Sequence, residues 1–137
     1  MKNTILFLFT TVIFFGCSKS NSSTSGTTVT MQSLAGNYKI TAATVSGADI
    51  LNSYLTPCQQ DDIYTLNADG TYVIADAGTV CSPTSATSST WSLSGNQITI
   101  DGQVFTLVKF DGAKIEATTT VTQSGYTVTV DVIFTKQ

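Results

Sequence analysis

Residues 64–74 read YTLNADGTYVI. Two apolar-alternating runs flank Asp69–Gly70, and the length of the loop between them decides which side chains share a face. A two-residue loop sets Leu66 opposite Val73 and leaves Tyr72 on the other side. A three-residue loop, Ala68–Asp69–Gly70 with Gly70 left-handed in a bulge, sets Leu66 opposite Tyr72 and Tyr64 opposite Ile74. The second choice gathers the bulky groups on one face, so it predicts the register. The same logic applies to WSLSGNQITI at 91–100: a Gly95–Asn96 loop pairs Leu93 with Ile98 and Trp91 with Ile100. In YTVTVDVIF, Tyr126, Val128, Val130, Val132 and Phe134 alternate with Thr127, Thr129, Asp131 and Ile133. Ile115, Ala117, Thr119 and Val121 likewise oppose Lys114, Glu116, Thr118 and Thr120, and Tyr38, Ile40 and Ala42 oppose Asn37, Lys39 and Thr41. Each segment has the period of a half-buried strand.

Eight strands are predicted, over 36–46, 62–67, 71–77, 88–94, 97–101, 103–110, 114–121 and 126–135. Ile50, Leu51, Tyr54 and Leu55 recur at helical spacing, which predicts a short helix at 49–55 between the first two strands. The other links are short, as in an antiparallel meander, and closure would remove its edges. The expected fold is all-β, a small up-and-down barrel, with a two-sheet β-sandwich as the alternative. The 64–74 register also bears on Cys58 and Cys81. Continued outward, it leaves them within one residue of facing each other, close enough for a disulfide. The loop closed is about 24 residues, which corresponds to roughly 3 kcal/mol in the chain-entropy account.

The N-terminus carries an address. Lys2 is followed by an apolar run, Ile5 to Phe15, and then by Gly16–Cys17. Charge, greasy core and small residue are the order of a secretory signal, and the run is about half of the roughly 20 residues that span a bilayer. FFGC resembles the lipobox of bacterial lipoproteins, in which the cysteine is lipidated and becomes the first mature residue. Phe14 and Phe15 depart from the commoner Leu and small residue at those places. Acylation of Cys17 would add about 0.8 kcal/mol of membrane affinity per buried methylene. Nine of the thirteen residues from Ser18 to Thr30 are Ser or Thr, too polar a tract to fold, with a reach of roughly 20 Å as a flexible coil. The expected organisation is therefore a signal peptide at 1–16, a lipidated Cys17 and linker over 17–30, and one domain over 31–137.

Composition narrows the function. Loss of residues 1–16 leaves five Lys against nine Asp and Glu, with no Arg and no His anywhere in the chain. A nucleic-acid partner is not expected, since phosphate contacts need cations. No metal or other cofactor is expected, and no imidazole-based triad can be built. Asp61–Asp62 is the one adjacent acidic pair, but neighbours on a strand face opposite ways and do not converge as catalytic carboxylates must. Asp76, Asp101 and Asp111 fall at strand ends or turns, where Asp is common for local reasons. The reading is of a protein that is not an enzyme.

LAGNYKI, at 34–40, resembles the Leu-x-Gly-x-Trp opening strand of lipocalin-like domains, with Tyr38 in the Trp place. CQQDDIYTLNADGTY, a second cysteine, and STWSLSGNQITI complete a pattern similar to the lipocalin-like domains of many lipoproteins of Bacteroidetes-type bacteria. The resemblance implies a small antiparallel barrel, a lipid tether and an apolar cavity. Tyr38, Tyr64, Leu66, Tyr72 and Ile74 would line that cavity, together with Trp91, Leu93, Tyr126 and Val128, around a small apolar or amphipathic ligand. Residue by residue, plain core packing is the favoured explanation. A filled barrel would instead act through its loops at 47–57 and 78–88, as an interaction or inhibitor module. The membrane is the expected partner through the lipid anchor. SKSNSS carries no acidic residue after Cys17, which points to the periplasmic side rather than the cell surface.

Overall fold

The computed structural model describes residues 28–123 and 125–137. The expected signal peptide, Cys17 and the expected linker up to residue 27 lie outside the described residues. Nine strands form one antiparallel sheet: β1 (Gly36–Val45), β2 (Ala48–Asp49), β3 (Ile63–Leu66), β4 (Thr71–Ala75), β5 (Thr87–Ser94), β6 (Gln97–Ile100), β7 (Gln103–Phe110), β8 (Lys114–Gln123) and β9 (Tyr126–Lys136). Neighbours pair in the order β2-β1-β3-β4-β5-β6-β7-β8-β9, and β1 pairs again with β9. That last pairing closes eight strands into a barrel, with β2 outside it as a short hairpin partner of β1. The fold is the up-and-down barrel, not the sandwich.

The two deciding hairpins have the expected registers. Leu66 faces Tyr72 and Tyr64 faces Ile74, while Leu93 faces Ile98 and Trp91 faces Ile100. Gly70 adopts φ 89° at the left-handed position of the three-residue loop, where it lies close to the Trp91 carbonyl. Only glycine takes that conformation without strain.

The structure departs from the sequence reading in β1. The ladder with β9 steps from Ile40–Phe134 to Ala42–Ile133, leaving Thr41 unpaired in a bulge. An extra residue inverts the alternation beyond it. Ala43 is therefore buried and Ala42 is not the inward residue. The helix at 49–55 is a single turn, α2 (Leu51–Tyr54), begun by the Asp49 carboxylate accepting from Leu51 N–H at 2.9 Å. Upstream of it, Ser46 and Gly47 take left-handed φ of 51° and 81° and turn the chain back as β2.

A second one-turn helix, α1 (Met31–Leu34), was not expected. Thr30 and Ser33 form a reciprocal capping box around its start. Val29 and Met31 pack against the core, so the folded domain begins before Met31. Leu34 is fully buried beneath the barrel, and its carbonyl accepts the Tyr38 hydroxyl at 2.7 Å. Trp91 seals the same end, donating its indole N–H to the Asn67 carbonyl at 2.7 Å. Among the described residues, the core and the closed wall lie within residues 29–137, as in a domain with a core of its own.

Cys58 and Cys81 are joined by a disulfide, their Cα atoms 5.3 Å apart. They do not sit on a continued ladder, because β3–β4 pairing stops at Ile63–Ala75. Cys58 lies in a 3-10 turn, Pro57–Gln59, and Cys81 in the loop after β4. The bridge ties two loops together at the open end.

If α1 is the floor of the barrel, Leu34→Ala should lose about 2–4 kcal/mol of unfolding free energy in denaturant titration, the range for an emptied core site. Val104→Ala, on the outer face, should change it by less than about 0.5 kcal/mol. Equal effects would show that α1 does not seal the core.

Candidate functional site

The interior divides into two parts along its axis. At the α1 end the space between Tyr38, Leu66, Ile98 and Ile115 is about 10 Å3, too small for a ligand. Phe105 and Phe134 meet edge to face above it, with centroids 5.8 Å apart, and Tyr64 meets Phe134 in the same way at 6.5 Å. At the opposite end the barrel opens into a cup of about 290 Å3. Its wall comes from Ile40, Ile74, Ile100, Phe105 and Phe134, with Tyr64 and Tyr72 reaching in from paired strands. Tyr54 and Leu55, brought over by α2, form one lip. Asp101 and Gln103, from the β6–β7 turn, form the other. The volume is near the lower end of ordinary small-molecule sites, and apolar walls with a few polar groups are their usual make-up.

The polar groups have a definite character. Tyr64 and Tyr72 are only 8% and 6% exposed. Among the described residues, neither hydroxyl has a hydrogen-bond partner, in contrast to Tyr38. Neither is sealed from solvent, so both hydroxyls open onto the cup. Burial pushes the Tyr64 phenol up to about 12, helped by the nearby Asp62 and Tyr54. Tyr72 is raised further, first by burial and then by Tyr64, Asp101, Tyr54 and Asp62. Tyr54 is raised by burial as well. All three are therefore neutral phenols at physiological pH, able to donate or accept. Asp101 holds a left-handed φ of 49° and accepts a hydrogen bond from Ser89 Oγ at 2.6 Å.

The sequence-derived cavity residues separate by depth. Tyr64, Tyr72 and Ile74 line the cup. Tyr38, Leu66 and Trp91 belong to the packed floor, and Leu93 is half-buried against it. Tyr126 and Val128 do not line the interior at all, being 79% and 43% exposed. They keep the inward phase of Val130, but the β8–β9 hairpin runs past its last rungs with β7, at Phe105–Thr119, and with β1, at Thr44–Asp131. Beyond those rungs there is no barrel to face. Tyr54, Leu55, Asp101 and Gln103 escaped the sequence reading, because they come from a helix and a turn that strand alternation does not cover.

The acidic pair serves the loop at 76–86. Asp62 is buried and accepts from Ala77 N–H at 3.3 Å and Ser85 Oγ at 2.6 Å. Asp61 accepts from Thr79 N–H at 2.8 Å. Gly78 permits that approach, since a Cβ there would clash with the Asp61 carboxylate. Asp76 accepts from the Thr84 hydroxyl and from the N–H groups of Cys81 and Ser85, and these bonds hold its carboxyl below the usual range. The three carboxylates shape a disulfide-tied loop and do not converge on a reacting point. Among the described residues, no group of His, Cys, Asp or Glu is arranged to hold a metal.

The sequence pattern of the lipocalin-like domain matches residues 34–133. The chain belongs to the lipocalin-like family. No curated protein and no solved structure matches it. Within this lipocalin-like domain, the matched span contains every cup residue except Phe134.

The raised phenols give a pH signature. Their folded pKa values lie above the unfolded value of about 10, so the folded state holds these protons more tightly. That stabilisation is complete below about pH 10 and is lost as pH rises through about 12. Urea midpoints should be flat up to about pH 10 and then fall, and Tyr64→Phe with Tyr72→Phe should flatten the fall. An unchanged slope in the double variant would place the alkaline loss elsewhere.

Proposed function

We propose that this lipocalin-like domain binds a small apolar or amphipathic molecule in the cup at its open end. The observation that carries the reading is the cup itself: about 290 Å3 beside a floor packed to about 10 Å3. A barrel needed only as a rigid scaffold could be filled throughout. This one leaves two buried phenols without hydrogen-bond partners among the described residues at the mouth, and hydroxyls so placed bond a ligand or solvent. Apolar walls with a few polar groups at the mouth are the make-up of a binding cup, and this supports binding over catalysis. In this reading Cys17 is acylated and the domain hangs from a bacterial envelope membrane, on the periplasmic side, as in lipoproteins of the Bacteroidetes type. The Ser/Thr tract gives it reach, and FFGC followed at once by that tract is the support.

A second reading rests on the β8–β9 tongue. Tyr126 and Val128 are exposed on a hairpin that extends beyond the barrel, and an aromatic on a projecting hairpin suits contact with a protein partner. The two readings are compatible, since the tongue and the cup use different residues.

Native mass spectrometry of residues 18–137, secreted and purified without detergent, should show an adduct lost on denaturation. Ile74→Trp, which fills the cup, should abolish the adduct and leave the barrel folded by circular dichroism. An adduct that survives Ile74→Trp, or a ligand-free mass from every expression host, would contradict the cup as a binding site. In the full-length protein, radiolabelled palmitate should enter the wild type and not Cys17→Ser.

A further inference from the structure

The charges around the cup are of one sign. Asp101 stands on its lip. Asp62, pointing inward ahead of Tyr64 on the same face of the chain, is close enough for its charge to raise both Tyr64 and Tyr72. The chain has no Arg and no His, and the described lysines lie elsewhere. Lys39 alternates outward between Tyr38 and Ile40. Lys109 pairs with Glu116 at 3.5 Å on the outer wall, and Lys114 lies beside Asp111 at the turn before β8. Lys136 lies 5.7 Å from the Tyr38 ring centroid, at the floor. An anionic head entering the cup would thus leave water for apolar walls, meet no cation among the described residues, and approach two carboxylates. Each of these disfavours it. A cation meets the opposite conditions: the Asp101 carboxylate at the lip, the Asp62 charge near the phenols, phenol oxygens able to accept, and the aromatic rings of Tyr54, Tyr64 and Phe105 in the wall.

Resting on the binding reading above, we propose that the cup selects by charge: it takes an amphiphile whose polar end is a cation, an ammonium above all, and rejects carboxylates. The apolar body lies against Ile74, Ile100 and Phe105, and the ammonium sits near Asp101 and the Tyr64 and Tyr72 hydroxyls. Asp101 is a positioning charge whose turn geometry survives replacement by Asn, a residue that tolerates the left-handed region.

Three probes with one apolar body separate the possibilities. Octylamine, octanol and octanoate, each below its micellar concentration, are titrated by calorimetry at pH 7 into residues 18–137. Octylamine should bind at least about tenfold more tightly than octanoate, with octanol between them. Asp101→Asn should narrow the octylamine–octanoate ratio severalfold, and added salt should narrow it too. Octanoate binding as tightly as octylamine, with all three probes bound, would overturn the charge selection and leave the binding reading standing. Silence from all three would overturn both.

Discussion

Antiparallel pairing of β1 with β9 joins the two ends of a meander whose other pairings, with β2 set aside, are all between successive strands. The six rungs from Tyr38–Lys136 to Thr44–Asp131 give the wall its curvature and oblige alternate side chains to share one interior. Closure removes the exposed edges that an open sheet of this length would present. It also needs accommodation. The bulge at Thr41 interrupts the β1–β9 ladder midway, and that shift brings Ala43 inward in place of Ala42.

A closed barrel of eight strands has about enough room for its own side chains or for one small ligand. This chain divides the alternatives along its axis. Tyr38, Trp91, Ile98 and Ile115, with α1 pressed beneath them, fill one end with large groups. At the other end the loops do the shaping. Asp61, Asp62 and Asp76 hold the 76–86 segment, the disulfide ties it to the 57–59 turn, and α2 carries Tyr54 and Leu55 over the mouth. The acidic residues thus work twice. They frame a loop through neutral donors, and one of them, Asp62, joins Asp101 in setting a negative field over the cup. Rigid loops around an opening are where binding specificity is usually built.

The sequence made the wall legible and the depth illegible. Turn chemistry at Asp69–Gly70 and Gly95–Asn96 set two registers correctly, because a one-residue slip would have turned bulky side chains to solvent. Alternation then told which residues face inward, but not where the barrel stops. Tyr126 and Val128 are in phase with Val130 and paired with β8, yet they lie beyond the last rungs with β7 and β1. α2 showed itself by four apolar residues at helical spacing, but α1, with only Met31 and Leu34 apolar at the end of a Ser/Thr-rich tract, passed unseen, its capping box notwithstanding. Cys58 and Cys81 were paired correctly by a register that in fact ends five residues short of Cys58. Loops, not the ladder, bring them together. Of the cup, Tyr64, Tyr72 and Ile74 were readable from one hairpin. Tyr54, Leu55 and Asp101 were not, because their positions depend on how a loop folds over a barrel mouth.

The division of the interior into packed floor and open cup carries the whole account. A high-resolution crystal structure of residues 18–137, with its ordered solvent or ligand, tests it most directly. The account predicts density for ordered solvent or a ligand within hydrogen-bonding distance of the Tyr64 and Tyr72 hydroxyls, and none among Leu34, Tyr38 and Trp91. Tyr54 and Leu55 collapsed onto Phe105, with the two phenols bonded to protein groups and no space between, would contradict it.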